Sequence, residues 1–316
     1  MIALLAPGQG SQKPGMLAPW LDDPAAEETL AAWSDAIGLD LKRLGTTADA
    51  DEIKDTAVTQ PLVVAAALLA AERFTAKTAL PAGSPIAGHS VGELAAAAIA
   101  GVLPAADAVA LAAVRGREMA AACALEPTGM SAVLGGVEDE VLAAIEGFGL
   151  TPANRNGGGQ IVAAGPAEAL AQLAANPPEK ARVIPLPVAG AFHTRFMAPA
   201  EEALRTHAAG ISPADPALPL LSNADGATVA AGEEALTRLV AQVTRPVRWD
   251  ACMASLAQLG VTAVIELPPA GTLVGLVKRD LKGTATLALK TPDDLDKAAA
   301  LFADHADANS GNGGAA

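Results

Sequence analysis

Gly88-His89-Ser90-Val91-Gly92-Glu93 is the stretch on which the reading of this chain turns. It has the form G-x-S-x-G. The apolar run Ser84–Ala87 precedes it, and the alanine-rich, helix-prone run Leu94–Ala100 follows it. Strand, tight turn and helix in that order are the setting of a nucleophile elbow. Gly88 and Gly92 carry no side chain, so strand and helix can close around a serine held in a strained turn. The helix N-terminus then directs backbone N–H groups toward any nearby anion, and Glu93 falls in the first turn, where an acid is favoured. A plainer reading is a glycine-rich turn with an incidental serine. The strand before it and the helix after it favour the nucleophile.

Composition bounds what surrounds this turn. The chain has 316 residues, enough for one large domain or one domain with a smaller insertion. Hydrophobic residues make up 51%, much of it alanine, while aromatics are 3% and tyrosine is absent. The core must therefore be packed from Ala, Val and Leu, and a stacking surface for nucleic acid is not expected. A net charge of −14 argues against DNA, RNA or anionic membrane as a general partner. Cys123 and Cys252 are far apart and form neither a disulfide framework nor a metal spacing. The first residues, Met1–Ala6, are already strand-like, without a charged leader. The longest apolar run, Leu62–Ala71, is too short to cross a bilayer and ends in Glu72-Arg73. A cytoplasmic protein is expected.

Upstream of the elbow, Ile2–Ala6 reads as a buried strand that ends in the polar glycine loop Gly8-Gln9-Gly10-Ser11-Gln12. Ligand sites gather at such strand ends in open α/β sheets, although an ordinary turn would look the same. Helices are predicted at Pro24–Ile37 and Leu39–Leu44. Thr59-Gln60-Pro61 opens another, Leu62–Ala76, with Pro61 in its first turn. Downstream, Pro104 starts a helix that runs to about Ala124 and carries Arg115 and Arg117.

The rhythm then changes. Strand Met130–Gly135, helix Glu138–Gly147, strand Leu150–Asn154, a glycine turn, strand Gln160–Ala164, helix Ala167–Ala175 and strand Arg182–Val188 spell β-α-β-β-α-β. Residues 125–190 are read as a small inserted subdomain. The core resumes with Gly190-Ala191-Phe192-His193, which opens a helix, Met197–Ala209. Strand Leu218–Ser222, helix Glu233–Val243, a helix from Trp249 to Leu259, strand Val261–Leu267, helix Leu273–Leu281 and strand Thr284–Leu289 follow. Residues 306–316 contain only Ala, Asp, Asn, Ser and Gly and read as a disordered tail.

A serine at neutral pH needs a base. His305 adjoins the tail, His207 lies on a polar helix face, and His89 sits inside the turn with its ring directed away from Ser90. His193 is the best placed of the four. The acids between Ser90 and His193 include Asp107, Glu118, Glu138 and Glu168, which fall on predicted helices and not on a strand-end loop. A Ser-His dyad whose imidazole is oriented by a backbone carbonyl is therefore favoured over a triad. Arg115 lies in a mostly apolar helix. It is either a solvent-facing arginine or a fixed guanidinium for a substrate carboxylate.

With Thr59-Gln60-Pro61, Val114-Arg115-Gly116-Arg117, Asn154-Arg155-Asn156, Gln160 and Pro246-Val247-Arg248-Trp249 added in order, the chain from 1 to about 290 resembles the malonyl-CoA:acyl-carrier-protein transacylases of fatty-acid and polyketide synthesis. The resemblance implies that Ser90 takes a malonyl group from coenzyme A as an ester. It implies that His193 is the general base and then the acid. The backbone N–H groups of Gln9 and Val91 would form the oxyanion hole. Arg115 would hold the malonyl carboxylate, the Gln242 backbone carbonyl would orient His193, and Gln60 would lie near the pocket. The acceptor would be the phosphopantetheine thiol of a holo acyl carrier protein. The coenzyme A thioester is then a substrate, and neither a cofactor nor a metal is expected.

The family fold has an α/β-hydrolase-like core with a parallel sheet and an inserted ferredoxin-like subdomain. Here the core would span 1–124 and 191–305, and the insert 125–190. Phe192 beside His193 resembles the malonyl-type form of that motif, and its ring would crowd a 2-methyl branch. Lys180, Arg182, Lys278 and Arg279 are candidates for a basic face toward an acidic carrier. A monomer is expected. A serine hydrolase or thioesterase, and a non-catalytic docking protein of a synthase, are the alternatives. Arg115 and the missing third acid argue against the first, and the intact Ser90, His193 and Arg115 against the second.

Overall fold

Ile2–Ala6 forms the first strand, β1, and all five of its residues are buried. An unbroken apolar run suits a strand covered on both faces. Ile2, Leu4 and Ala6 face one hydrophobic layer and Ala3 and Leu5 the other. The computed structural model describes residues 1–306. Its other strands are β2 (Ile86–Gly88), β3 (Thr128–Gly135), β4 (Thr151–Gly157), β5 (Gln160–Pro166), β6 (Ala181–Pro185), β7 (Leu220–Leu221), β8 (Thr228–Val229), β9 (Val247–Arg248), β10 (Ala263–Glu266) and β11 (Ala285–Ala288). The larger sheet has the order β11-β10-β1-β2-β7-β8, parallel throughout except for β8.

The helices are α1 (Pro24–Ile37), α2 (Leu41–Thr46), α3 (Thr56–Lys77), α4 (Gly92–Ile99), α5 (Ala105–Cys123), α6 (Glu138–Gly147), α7 (Ala167–Ala175), α8 (Ala198–Ala208), α9 (Gly232–Ala241), α10 (Trp249–Gln258), α11 (Leu273–Asp280) and α12 (Leu295–Ala306). Buried residues of α1, α3, α4 and α5 fill the layer against Leu4, and those of α10 and α11 the layer against Leu5. The fold is thus a mixed α/β architecture with a mainly parallel sheet between helices.

The second sheet has the order β6-β3-β5-β4-β9. Its first four strands alternate in direction, with α6 crossing from β3 to β4 and α7 from β5 to β6. This is the β-α-β-β-α-β order expected. Val133, Val141, Ile145 and Leu173 pack between its sheet and its helices. The fifth strand, β9, comes from outside the segment and pairs in parallel with β4, Asn154 opposite Val247.

Several expectations need correction. α3 begins at Thr56, not at Thr59, because the Asp55 carboxylate caps the Ala57 N–H; Pro61 therefore lies inside the helix. Extended in this way, α3 is long and apolar enough to cross a membrane by length and composition, contrary to the expectation from Leu62–Ala71 alone. Yet 78% of its most apolar window is buried within the fold, as a core helix requires. α2 starts at Leu41, with Asp40 as its cap. β6 stops at Pro185 and does not reach Val188; Pro185 and Pro187 cannot donate to a ladder. The chain from 186 to 194 then runs as a loop toward the elbow, so His193 follows a loop and a short 3-10 turn, not a strand, leads into α8. β8, β9 and α12 are further elements that the sequence pattern did not announce. Of the tail expected over 306–316, Ala306 ends α12 and the rest lies outside the described residues.

Candidate active site

β1 and β2 are neighbours in the large sheet, so the glycine loop after one and the elbow after the other lie side by side. The contact is backbone to backbone. A Cβ on Gly8 would sit 2.6 Å from the His89 carbonyl oxygen. One on Gly88 would sit 2.1 Å from the Gly92 carbonyl oxygen, and one on Gly92 would sit 2.3 Å from that of Ala6. No side chain fits at these places, which is why the glycines of G-x-S-x-G stand where they do. Ser90 itself takes φ +53°. The Asn223 amide at the end of β7 holds that turn: its Oδ1 accepts from the Ser90 N–H at 2.8 Å and its Nδ2 donates to the Gly88 carbonyl at 2.7 Å.

Ser90 Oγ lies 2.8 Å from His193 Nε2. His193 Nδ1 lies 2.8 Å from the Gln242 backbone carbonyl, which can only accept. The ring proton therefore sits on Nδ1, and Nε2 is left as an acceptor facing the Ser90 hydroxyl. His193 is 3% exposed and holds φ +60°. Burial, and then the positive charge of Arg115, push its pKa down to about 3, so the imidazole is neutral at ordinary pH. Among the described residues no carboxylate bonds to His193, and the arrangement is a dyad. His89 turns away, as expected: its Nε2 pairs with Asn156 Oδ1 at 2.8 Å and its ring meets Trp249 edge to face.

Arg115 is 2% exposed, which removes the solvent-facing alternative. Its Nη1 donates to Gln60 Oε1 at 2.7 Å, and its Nη2 donates to Gln242 Oε1 at 2.9 Å and Ser90 Oγ at 3.3 Å. All three partners are neutral. Burial lowers the guanidinium pKa to about 10, with Glu93 opposing that shift. A buried cation held by neutral acceptors is poised for an anion. Arg117 is exposed and pairs with Glu118.

A cavity opens between the two sheets in front of this cluster. Gln9, Gln60, Ser90, Arg115, Phe192 and His193 line it on the large-sheet side. Met130, Asn154 and Val162 line it on the small-sheet side, and Leu273 and Leu276 of α11 close one wall. Among the described residues, neither the Gln9 nor the Val91 backbone N–H has a hydrogen-bond partner. Val91 is fully buried at the start of α4, and Gln9 is tethered through its Nε2 to Thr56 Oγ1 at 3.2 Å. Two free donors beside a nucleophile suit a developing oxyanion.

Four groups were missed from the sequence. The Gln242 side chain, not only its carbonyl, belongs to the site. Asn223 and Glu93 complete a buried polar layer beneath Ser90. Glu266, at the end of β10, accepts the backbone N–H groups of Gly271, Thr272, Leu273 and Val274, and so fixes the start of α11 and the cavity wall. A lone acid after an apolar strand and before Pro268-Pro269 was the available signal. The four candidate cations are exposed and form two pairs: Arg182 on β6 with Lys180 just before that strand, and Lys278 with Arg279 on α11. The glycine turn between β4 and β5 lies between the pairs: Arg279 abuts Gly158, and Gly159 accepts from the N–H of Gly135, which faces Lys180. Both cysteines are free thiols. Among the described residues no cluster of three His, Cys, Asp or Glu side chains could hold a metal.

Residues 4–307 match the acyl transferase domain model. A malonyl CoA-acyl carrier protein transacylase of Mycobacterium tuberculosis (strain ATCC 25618 / H37Rv) is 60% identical over 302 residues, covering 95% of this chain and 100% of that protein. One from Escherichia coli (strain K12) is 37% identical over 307 residues, covering 95% and 98%. The crystal structure of MCAT from Mycobacterium tuberculosis superposes with a TM-score of 0.91 at 60% identity, covering 95% of this chain and 99% of that one. The chain belongs to the acyl transferase domain family, among the malonyl CoA-acyl carrier protein transacylases.

Proposed function

We propose that this protein moves a malonyl group from malonyl-CoA to the phosphopantetheine thiol of a holo acyl carrier protein, by way of a malonyl ester on Ser90. The observation that carries this reading is the buried Arg115 guanidinium within hydrogen-bond reach of the Ser90-His193 dyad. A plain hydrolase needs no cation at that point; an acyl group with a free carboxylate does.

In the first half-reaction the Arg115 guanidinium takes the malonyl carboxylate. His193 Nε2 accepts the Ser90 Oγ proton as Oγ bonds to the thioester carbonyl carbon. The carbonyl oxygen becomes an oxyanion facing the Gln9 and Val91 N–H groups, each donor contributing about 3 kcal/mol at the transition state. The C–S bond then breaks, and the departing coenzyme A thiolate takes the proton from His193. In the second half-reaction the carrier thiol gives its proton to His193 and attacks the ester; Ser90 leaves and regains the proton. Gln242, through its carbonyl, keeps Nε2 available in both directions. Gln60 holds the guanidinium in place from its other side. Phe192 narrows the cavity beside His193 and favours malonyl over a 2-methyl homologue. No step uses a cofactor or a metal.

The parallel β11-β10-β1-β2-β7 order with its elbow supports reading 1–124 and 191–305 as an α/β-hydrolase-like core. The alternating β6-β3-β5-β4 order supports a ferredoxin-like insert at 125–190. Lys180, Arg182, Lys278 and Arg279 are read as the face toward an acidic carrier. The protein is read as a cytoplasmic monomer that supplies extender units for fatty-acid or polyketide synthesis. Intact mass of a holo carrier incubated with malonyl-CoA and wild type or Ser90→Ala tests the reaction. Loading by wild type alone supports it. Release of free malonate without carrier loading returns the hydrolase, and binding without reaction returns the docking protein.

A further inference from the structure

Gln242 serves the site in two ways, and only one is secured by the backbone. Its carbonyl oxygen holds His193 whatever the side chain does. Its side-chain amide must be turned one way to serve Arg115. In the structure Oε1 accepts from Arg115 Nη2 at 2.9 Å, while Nε2 donates to Glu93 Oε2, to the Ser90 carbonyl at 3.1 Å and to Asn223 Oδ1 at 3.3 Å. The opposite rotamer would set an NH2 group against a guanidinium, donor against donor, and leave a buried cation one acceptor short.

We propose that Glu93 is a positioning residue that fixes the Gln242 amide, so that Oε1 faces Arg115 and the guanidinium is held ready for an acyl carboxylate. The proposal rests on the reading of Arg115 as the carboxylate binder. Glu93 is buried in the first turn of α4. Every partner of its carboxylate is a donor: the Asn223 N–H at 3.0 Å, the Gln242 amide and the Ser222 hydroxyl. An acceptor-only group among donors sets the polarity of the whole layer. The other two acceptors that face Gln242 Nε2 are neutral and more distant. Glu93 is also the carboxylate whose charge acts on Arg115, with the Gln242 amide between them.

The charge on Glu93 is itself adjustable. Burial raises its pKa to about 7, against the pull of its donors and of Arg115. The titratable groups packed around it are Arg115 on α5, Cys252 on α10 and, beyond Gln242, His193. A proton on Glu93 would put a hydroxyl among donors and loosen the amide. Malonyl loading is therefore expected to rise with pH through about 7.

Glu93→Gln tests this, because it keeps shape and removes the charge. Three rates are measured over pH 5.5 to 8.5: loading from malonyl-CoA, loading from acetyl-CoA, and labelling of Ser90 by a fluorophosphonate. The expected result is a fall of about 10- to 100-fold in kcat/KM for malonyl-CoA, carried by KM. Acetyl loading and Ser90 labelling stay within about threefold, and the rise through pH 7 disappears. An unchanged malonyl kcat/KM overturns the proposal. So does a parallel loss of all three rates, which would mean that Glu93 only supports the fold. Arg115→Ala is run beside it: if that variant loses malonyl loading while Glu93→Gln keeps it, the positioning role alone fails. If Arg115→Ala loads malonyl normally, the carboxylate reading fails and the proposal with it.

Discussion

Arg115 Nη2 stands 3.3 Å from Ser90 Oγ, the buried cation of the site touching the serine of the elbow. The same charge helps to keep His193 neutral. In the function proposed, one residue thus both offers a seat for an anionic acyl group and holds the imidazole in its proton-accepting form.

Arg115→Ala is expected to lower kcat/KM for malonyl-CoA by about 10²- to 10³-fold, because a buried carboxylate loses its partner at about 3–5 kcal/mol. Acetyl-CoA is expected to become the relatively better substrate. Arg115→Lys is expected to recover little, since one ammonium cannot reach Gln60, Gln242 and a carboxylate together. Paired acyl-CoA kinetics check both variants.

His193 titrates far below the ordinary imidazole value of 6.5. The two largest causes, burial and the Arg115 charge, disfavour its protonated form. The folded value lies below the unfolded one, so this group costs stability as pH falls below 6.5 toward about 3 and costs none above 6.5. Fluorophosphonate labelling of Ser90 is expected to persist at pH 5 with no fall centred at 6.5. In Arg115→Ala the fall is expected to move up toward 6.5. A rate-against-pH series on both proteins checks this.

Glu266→Gln leaves one carbonyl oxygen where a carboxylate accepts four N–H groups. A loss of about 2–4 kcal/mol is expected, read as a Tm lowered by roughly 3–6 °C. Because α11 walls the cavity, KM for malonyl-CoA is expected to rise as well, and calorimetry with steady-state kinetics measures both.

Phe192→Ser is expected to admit methylmalonyl-CoA at the expense of malonyl selectivity, by about 10-fold or more. An unchanged ratio of the two kcat/KM values would overturn the assignment of Phe192 as the ring that excludes the branch.

What could be read from the sequence followed its range. The elbow around Ser90, the strand Ile2–Ala6 and the β-α-β-β-α-β order depend on spacings within a few residues, and the structure reproduces them. The Asp55 cap was present in the sequence but yielded to the louder proline six residues on. β9 has two residues, too few to carry a period. The dyad needed only one serine and the best of four histidines, whereas the Gln242 carbonyl entered through family resemblance. The layer of Glu93, Asn223 and Gln242 was illegible. Its members meet across 130 and 149 residues, and amide orientation leaves no trace in composition.

The pairing of β4 with β9 bears on how such proteins can be recombined. A chimera cut near 125 and 190 would exchange four strands of the smaller sheet and leave the fifth behind in the host. Val247 lies five positions after Gln242, so a mismatched seam along that ladder would pull on the carbonyl that steadies His193. Grafts that carry the Val247–Arg248 strand along with the insert would keep seam and catalyst in register.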